Sequence, residues 1–459
     1  MKKTIIILLP LIAFLFGVSF HRYQLFPYEH LQSALIWIDK HIKGSEDVQF
    51  VRTQFHRLLI KGITIELDYK PDLHWQGGAI TSLGQYLFIS TNRMDEFREH
   101  INVFDMKHYT RIDTRGLSIP MNYTAMLNSS IIDIPDFESG RFRVSGLYAE
   151  ITDINTIMLY VTHNKYHTPD QCISFRLSSI EIEIKDEVLH THGDWETLFT
   201  ANPCLFPEHD QHGYEPFSGQ LSGGPMVRFD DEHILISVGS FHRDGIKHQS
   251  LPMDPSSPFG KLILFNKLNR EYTIFAKGLR NAQGLYIDGQ QIIWATDHGP
   301  MNGDKLLMVN KGDNYGWPEM TYGLDYFNRP WPNSTFQGRV DGYTEAHFVW
   351  NSIAPVNLTS VKGSQRFFLW KNDLIIASLR NQSLHRIRLA ADNRVLYSES
   401  ILIGKRIRGI TTLYDERIAL LTDDGYLILI DDGGLVYQPT DKTYDLRVTE
   451  LKKLERLNN

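Results

Sequence analysis

The sequence of 459 residues has neither an excess of positive charge nor a low-complexity tract. It contains 47 Lys and Arg against 54 Asp and Glu, which gives a formal net charge of −7. A general nucleic-acid-binding surface needs a basic face that this balance does not supply, although a local basic pocket is still allowed. The hydrophobic content of 42% and aromatic content of 12% exclude a disordered chain and predict a large buried core.

Cysteine is also scarce, since only Cys172 and Cys204 are present. In an oxidising compartment these two residues could form a disulfide, and the alternative is a pair of buried free thiols. Both lie in an irregular stretch between strand-like runs, so the sequence leaves the two alternatives open.

The first twenty residues carry an export signal. Lys2 and Lys3 precede an uncharged run, Thr4–Phe20, that is rich in Ile, Leu and Phe. The run is slightly short for a membrane-spanning helix and contains Pro10, which favours a signal peptide. Near-helical apolar spacing in Leu25–Ile42 keeps a retained signal anchor as the alternative. Either alternative places the rest of the chain in the periplasm or outside the cell, free or attached to the membrane through residues 4–20.

Beyond this segment the sequence has almost no long run with helical periodicity, which predicts an all-β body. Short runs of β-branched and aromatic residues, bounded by Gly, Asp and Asn, recur along the chain. The six strongest runs are Gln85–Ser90, Thr156–Thr162, His233–Val238, Gln291–Ala295, Asp373–Ala377 and Arg417–Leu421. Most of them follow a turn and precede a second apolar strand, as in one blade of a β-propeller. Because a blade buries both faces, its strands are continuously apolar instead of alternating.

These observations predict four regions in the chain. They are a signal peptide or signal anchor at 1–20, a helical or linker segment at 21–65, a β-propeller at 66–435 and a charged tail at 436–459. A pair of β-sandwiches is the alternative to the propeller, but sandwiches usually show shorter and more regular strand spacing.

Three segments have the length and composition of inserted loops, and long loops on a rigid scaffold often carry function. They are Asp95–Arg141, Glu208–Leu221 and Met320–His347. The third is rich in Tyr, Phe and Trp, which predicts either a substrate wall or a loop packed against a blade edge.

The most informative block of the sequence runs from Gly278 to Pro318. It contains four fragments in order, Gly278-Leu279-Arg280-Asn281-Ala282-Gln283-Gly284-Leu285, Ala295-Thr296-Asp297-His298-Gly299-Pro300, Gly303-Asp304 and Asn314-Tyr315-Gly316-Trp317-Pro318. Together they resemble the signature of the soluble quinoprotein glucose and sorbosone dehydrogenase family. The resemblance covers roughly Gly77 to Asp432. We interpret Asn314–Pro318 as structural, and His298 as a packing or orienting residue.

The resemblance implies a six-bladed propeller that binds pyrroloquinoline quinone (PQQ) and calcium in its axial pocket and oxidises sugar hydroxyls. PQQ carries three carboxylates and an electron-poor ring system, so guanidinium groups suit it as bidentate donors or stacking partners. The candidate cofactor residues are Arg280, Asn281, Arg380, Arg406 and Arg408. The alternative for Arg406 and Arg408, which share one face of a strand, is a pair of solvated arginines. The alternative for Asn281 is a turn cap.

Gly299 and Pro300 resemble the family residues whose backbone carbonyls bind calcium, a hard cation that takes oxygen ligands. Glycine lets the chain approach closely, and proline stiffens the turn. The alternative for this pair is an ordinary turn at the end of a strand.

The family pattern fails at the catalytic base. The family histidine, which the resemblance implies accepts the substrate hydroxyl proton, corresponds to Gln220 here, and the preceding acid corresponds to Gly219. A glutamine amide has no titrating site in the useful range. The pattern also departs at Lys305, after the Gly-Asp fragment. Three histidines in or beside the flanking loops could supply a relocated base, namely His209, His212 and His242.

Two functions therefore stay open. The first is a PQQ- and calcium-dependent dehydrogenase for a sugar or an aldehyde, with an unknown electron acceptor. The second is a catalytically inactive propeller of the same fold that binds a ligand or a protein.

Overall fold

The computed structural model describes residues 48–53, 56–63, 78–90, 100–133, 142–206, 219–246, 250–334 and 341–435. Nearly all of them belong to one compact unit, Phe50–Asn459. The predicted signal peptide or anchor and the predicted charged tail lie outside the described residues. Within these ranges, no helix has the length and apolar character needed to cross a membrane.

The described part of the chain is almost entirely β-structure. Its strands are β1 (Val48–Arg52), β2 (His56–Ile63), β3 (Ile80–Leu83), β4 (Tyr86–Ser90), β5 (Ile101–Asp105), β6 (Thr110–Ile112), β7 (Val144–Asp153), β8 (Thr156–His167), β9 (Cys172–Lys185), β10 (Val188–Thr191), β11 (Glu196–Thr200), β12 (Gly223–Arg228), β13 (His233–Val238), β14 (Lys261–Asn266), β15 (Tyr272–Lys277), β16 (Ala282–Ile287), β17 (Ile293–Asp297), β18 (Asp304–Val309), β19 (Phe348–Trp350), β20 (Pro355–Ser360), β21 (Leu374–Ser378), β22 (Ser383–Leu389), β23 (Val395–Leu402), β24 (Ile407–Thr412), β25 (Ile418–Thr422) and β26 (Leu427–Leu435). A short helix, α1 (Tyr123–Leu127), is followed by a 3-10 turn at Ser130–Asp133, and a second 3-10 turn lies at Phe368–Trp370.

The strands form the six blades of a β-propeller. In order along the chain, the blades are β3-β4-β5-β6, β7-β8-β9 with β10 and β11 both on β9, β12-β13-β14-β15, β16-β17-β18-β19, β20-β21-β22-β23 and β24-β25-β26-β2. The first strand of each blade contacts the first strand of the next, and β24 contacts β3 to close the ring. This arrangement confirms the predicted all-β six-bladed propeller. Each of the six runs picked out in the sequence is the second strand of a different blade.

The second strands are continuously apolar because neighbouring blades cover both of their faces. All five residues of β21 and all five of β25 are buried, as are the last five of β13. In a sheet with one face exposed to solvent, buried apolar and exposed polar residues would alternate at these positions. The burial therefore explains why the six runs were visible in the sequence.

The last blade is closed by an early strand of the chain. Strand β2 pairs antiparallel with β26, from His56 opposite Leu435 to Ile63 opposite Leu427. The buried His56 ring adds a side-chain link, since its Nδ1 lies 3.0 Å from Asp432 Oδ1 and its Nε2 accepts the Leu369 N–H at 3.2 Å. The propeller thus begins before residue 66, and the linker prediction is wrong for β2. A strand that forms by pairing with the far end of the chain leaves little local signal.

The predicted insertion Asp95–Arg141 is also wrong in part. Strands β5 and β6 lie inside it and complete the first blade, and α1 follows them. Most of Glu208–Leu221 lies outside the described residues, whereas the described part of 320–347 contains no strand.

Cys172 and Cys204 form a disulfide, with their Cα atoms 5.8 Å apart and a sequence separation of 32 residues. Beside it, Ile173 and Leu205 exchange two backbone hydrogen bonds of 2.8 and 2.9 Å. The bond therefore joins the start of β9 to the segment that follows β11. Of the two alternatives left open by the sequence, the disulfide is the one found.

Replacing both cysteines by serine is expected to lower the free energy of unfolding by about 3 kcal/mol, because the unfolded chain regains the entropy of an open loop of this length. Urea titration of the Cys172→Ser/Cys204→Ser variant, compared with the oxidised wild-type chain, measures the difference. The wild-type chain unfolded under reducing conditions should match the variant. Equal midpoints for all three samples would contradict the prediction.

Candidate active site

A cavity of about 450 Å³ lies at one end of the ring of innermost strands. Its lining comes from five of the described blades, mostly from residues just before a first strand or just after a second strand. The lining residues are Arg143, Gln220, Leu221, Arg280, Asn281, Gln283, His298, Gly299, Pro300, Asp304, Tyr326, Ser352, Ala354, Leu379, Arg380, Arg406 and Arg408. All eight site residues predicted from the sequence are among them. Because each blade starts its first strand at the same end of the propeller, residues distant in sequence meet there.

Arg280 is the most buried arginine of the cavity lining, with 3% of its surface exposed. Its Nη1 donates to the Gly299 carbonyl at 2.8 Å, and its Nη2 lies 3.4 Å from the Tyr326 hydroxyl. The guanidinium carbon is 5.4 Å from the centroid of the buried Trp317 ring. The Nε of Arg280 is buried and has no hydrogen-bond partner among the described residues. Such a donor is costly unless a ligand satisfies it.

The backbone at Arg280 and Asn281 is held by one buried carboxylate. Asp297, with no exposed surface, accepts the Arg280 N–H at 3.3 Å and the Asn281 N–H at 2.6 Å. The ammonium of Lys305 lies 2.8 Å from the same carboxylate and is also buried. The Asn281 side chain accepts the N–H of Gly223, so it bridges the third and fourth blades. Lys305, a departure from the family pattern, therefore has a structural partner.

Gly299 and Pro300 lie directly after β17, and Asp304 holds them in place. Asp304 accepts the Gly299 N–H at 2.9 Å, and its other oxygen accepts the N–H groups of Ile353 and Ala354, each at 2.8 Å. A Cβ at position 299 would lie 2.1 Å from the carbonyl oxygen of Asn302, so only glycine fits this close approach. The Gly299 carbonyl itself accepts from the Arg280 guanidinium.

Arg406 and Arg408 share one buried carboxylate at the sixth blade. Arg408 Nε and Nη2 lie 2.6 and 3.0 Å from the two oxygens of Asp423, and Arg406 Nε lies 3.0 Å from Oδ2. Burial raises the pKa of Asp423, but Arg408 and Arg406 lower it, and the net pKa is below the usual range. The two guanidinium groups are thus ion-paired at the cavity, unlike the solvated pair that was the alternative.

The cavity combines many guanidinium groups with little negative charge. Among the described lining residues are five arginines, from the second, fourth, fifth and sixth blades, and one carboxylate, that of Asp304. Arg380 is exposed and lies just after β21. A concave site lined by one sign of charge attracts ligands of the opposite sign. The chain is acidic as a whole, but this cavity suits an anion.

Gln220, the residue predicted to occupy the family's base position, lies half-buried in the cavity wall. Its Oε1 is 3.4 Å from Nε2 of His242, and this histidine is not part of the described lining. His209 and His212 lie outside the described residues. A relocated base at His242 thus has no direct exposure to the cavity.

His298 lines the cavity and is fixed by a backbone acceptor. Its Nε2 lies 2.5 Å from the Pro355 carbonyl oxygen, so Nε2 carries the proton and the ring orientation is set. Burial lowers the pKa of His298, Asp304 opposes this effect, and Arg280 adds to it. This geometry agrees with the predicted orienting role.

Several cavity residues were not among the site residues predicted from the sequence, above all Arg143, and Tyr326 was included only as part of the aromatic loop. Arg143 stands directly before β7, at the offset that Asn281 has before β16, and its Nη2 lies 3.2 Å from Ser222 Oγ. Position relative to the first strand of a blade could have identified it. Tyr326 lies in the predicted aromatic loop. In the same loop, Trp331 packs against Trp317 at 4.8 Å, so the loop both covers a blade and reaches the cavity.

Residues 157–429 match the glucose/sorbosone dehydrogenase family model, which is more than half of the chain. The chain belongs to this family. The aldose sugar dehydrogenase of Escherichia coli is 30% identical over 158 residues, which cover 33% of this chain and 41% of that protein. The matches to curated relatives span between 41% and 62% of the relatives' own length.

Solved structures of the family have the same fold. The soluble aldose sugar dehydrogenase from Escherichia coli, in its apo form, superposes with a TM-score of 0.59 at 19% identity, over 82% of this chain and 99% of that one. The PQQ-bound aldose sugar dehydrogenase from Streptomyces coelicolor superposes with a TM-score of 0.53 at 17% identity, over 82% of this chain and 98% of that one. Identities this low establish the propeller alone.

Proposed function

We propose that the axial cavity binds PQQ together with a calcium ion, and that the chain is an exported quinoprotein that oxidises a sugar hydroxyl. The observation that carries the proposal is the convergence of five arginines, from the second, fourth, fifth and sixth blades, on the cavity that contains the buried, unpartnered Nε of Arg280. The disulfide is consistent with a periplasmic or extracellular location.

The residues present fit the quinone. Its three carboxylates need several cations, and buried guanidinium groups are costly to gather unless anions compensate them. Asp423 pairs with both Arg406 and Arg408. Arg280 has no carboxylate partner among the described ion pairs and leaves a donor unsatisfied. A bound polycarboxylate would supply both the charge and the acceptor.

Calcium fits on one condition. Among the described residues, no group of three or more His, Cys, Asp or Glu side chains is placed to hold a metal ion. The carbonyls of Gly299 and Pro300 are two of the six to eight oxygen ligands that calcium takes. The remaining ligands would have to come from the quinone and water, and the Arg280 guanidinium would have to turn from the Gly299 carbonyl to the quinone. Calcium alone should therefore bind weakly, and calcium with PQQ should bind well.

The bound quinone would supply a two-electron acceptor for the hydride of the sugar carbon. The chain's own residues would position the reactants: Arg280 and the Asn281 side chain fix one wall, and Asp304 keeps the Gly299 carbonyl in place. Gln220 can orient a hydroxyl by hydrogen bonding but cannot take its proton. The proton must then leave to water, which predicts slow turnover.

An inactive binding protein is the second candidate, and one observation favours it. The residue in the wall where the family base belongs is Gln220, and the residue before it is Gly219 in place of an acid. Such a cavity could bind a polycarboxylate or a sugar without converting it.

Binding of PQQ with calcium is expected to raise the Tm of the wild-type chain and to change the PQQ absorbance. A ligand at a hundred times its Kd stabilises the folded state by about 2.7 kcal/mol. The variant Arg280→Met should lose most of this stabilisation, because it removes the guanidinium at the centre of the site. Differential scanning fluorimetry with PQQ, calcium, both and neither measures the effect.

The matched control is Arg394→Met, since Arg394 is an exposed arginine between β22 and β23. No stabilisation of the wild-type chain by PQQ with calcium would end the proposal. Stabilisation without reduction of a dye by any aldose or aldehyde would favour the inactive binding protein.

A further inference from the structure

Two neighbouring aromatic side chains are exposed in the loop that reaches the cavity. Tyr326 and Phe327 have 66% and 77% of their surfaces exposed. Tyr326 lines the cavity, and its hydroxyl lies 3.4 Å from Nη2 of Arg280. Large exposed apolar groups next to a binding cavity are commonly part of a binding site.

The turn that carries them is held by one carboxylate. Asp325 accepts the N–H groups of Phe327 at 2.9 Å and Arg329 at 2.7 Å, and its other oxygen accepts Arg329 Nε at 2.9 Å. The preceding residue, Leu324, exchanges two backbone hydrogen bonds of 2.9 and 2.8 Å with Met301. Met301 follows Pro300 directly, so the turn is joined to the cavity wall. The backbone of the turn is therefore fixed before a ligand binds, so a ligand would not have to order it.

The exposed rings suit a ligand with one apolar face and polar edges. A cyclic sugar has this character, because its C–H groups form flat apolar faces and its hydroxyl groups point outward. Aromatic rings supply large contact area at low entropic cost. The guanidinium of Arg329 lies 5.0 Å from the centroid of the Phe327 ring, and Arg280 is close to the Tyr326 hydroxyl. Both cations can donate hydrogen bonds to hydroxyl groups at the rim.

We propose that Tyr326 and Phe327 form an aromatic subsite that stacks on the C–H face of a sugar ring. The inference rests on the proposed function and narrows its substrate class to cyclic sugars over small open-chain aldehydes. The subsite acts in substrate binding and not in proton or hydride transfer.

The test measures sugar binding separately from turnover. Methyl glycosides of glucose, galactose, mannose and xylose are titrated by NMR or calorimetry against the full chain, with and without PQQ and calcium. Tyr326→Ala and Phe327→Ala should each weaken binding of the preferred glycoside about tenfold, because ring stacking contributes on this scale. Tyr326→Phe keeps the ring and should stay within about twofold of wild type. With the loaded enzyme, the alanine variants should raise KM for cyclic sugars and leave KM for a small aldehyde unchanged.

The control is Tyr414→Ala, a tyrosine with 48% of its surface exposed. It lies in the turn between β24 and β25, at the opposite end of these strands from Arg406 and Arg408. Unchanged glycoside binding in Tyr326→Ala and Phe327→Ala, or no glycoside binding by the wild-type chain, would overturn the subsite. A loss of PQQ stabilisation in Tyr326→Ala without a loss of glycoside binding would overturn it too, and would assign Tyr326 to the cofactor. If glycoside binding depends on Tyr326 but PQQ with calcium does not stabilise the chain, the aromatic subsite is supported and the proposed cofactor is refuted.

Discussion

Replacing Gln220 by histidine is expected to raise sugar-dependent dye reduction by the PQQ-loaded chain about a hundredfold to ten-thousandfold, the range that general-base catalysis contributes. Position 220 is part of the cavity wall and half-buried, so an imidazole there can reach a bound hydroxyl. Steady-state kinetics with a panel of aldoses measures the gain. The activity of the variant should rise with pH through the histidine pKa, near 6.5 if unperturbed.

Gln220→Asn is the matched control, because it keeps an amide and should show no gain. An imidazole at position 220 also needs an orienting group, which His242 can supply. His242 already lies 3.4 Å from the Gln220 amide oxygen, so its replacement by alanine in the Gln220→His background should lower the gain. A Gln220→His chain that binds PQQ but turns over no faster than wild type would show that the cavity is not arranged for this chemistry.

The family acid is predicted to correspond to Gly219, and its absence would limit the gain from the single replacement. The backbone of Gly219 has a φ of 64°, a left-handed conformation in which most side chains are strained. Aspartate tolerates this region better than most residues, so Gly219→Asp/Gln220→His is the sharper double variant. We expect the rate gain of Gln220→His to lie near the lower end of the hundredfold to ten-thousandfold range. The gain of Gly219→Asp/Gln220→His should be larger.

The sequence predicted the strands whose two faces are both covered by neighbouring blades. The second strands of all six blades were visible because neighbouring blades leave them no solvent-facing residues, as β21 and β25 show. Strands β2, β5 and β6 were missed. Strand β2 forms through pairing with β26 at the far end of the chain, and β6 has only three residues, Thr110–Ile112. Such strands depend on their partners more than on their own composition.

The site residues that belong to fragments of the family pattern could be predicted from the sequence. The eight residues taken from the family pattern meet in one cavity, although their individual roles stay predictions. Arg143 lies outside any fragment of that pattern, and its place in the cavity follows from the ring of first strands. Tyr326 could be assigned to a functional loop by composition, but only the hydrogen bonds of Asp325 show where the loop holds it. Long-range geometry of this kind is absent from local sequence.

The contrast between the acidic chain and the arginine-lined cavity supports a small anionic ligand over a nucleic acid. A net charge of −7 repels a polyanion from the general surface, whereas the recessed arginines attract an anion small enough to enter. The cavity thus favours ligands that are both anionic and small enough to reach the recessed arginines.

Removing the charge of Lys305 alone is expected to cost about 3–5 kcal/mol of folding free energy, the usual result of breaking a buried ion pair. Lys305 and Asp297 are 2% and 0% exposed, and their charged atoms are 2.8 Å apart. Lys305→Met leaves a buried carboxylate compensated only by backbone amides, and Asp297→Asn leaves a buried ammonium. The double variant Asp297→Asn/Lys305→Met has neither charge. Its free energy of unfolding should therefore lie within about 1–2 kcal/mol of that of the wild-type chain, because replacing both members of a buried ion pair often costs little. Urea titration of the four chains gives the coupling energy directly.

The same four chains separate stability from cofactor binding. Asp297 accepts the backbone N–H groups of Arg280 and Asn281, at 3.3 and 2.6 Å, through two different oxygens. An asparagine at 297 has only one acceptor oxygen, so the double variant should be stable and yet hold this turn less firmly. We therefore expect it to need about tenfold more PQQ for the same stabilisation, and the PQQ titration by fluorimetry tests this. A double variant that is destabilised by the sum of the two single effects would show that the ion pair has no coupling. Unchanged PQQ affinity in a stable double variant would show that the carboxylate does not position Arg280.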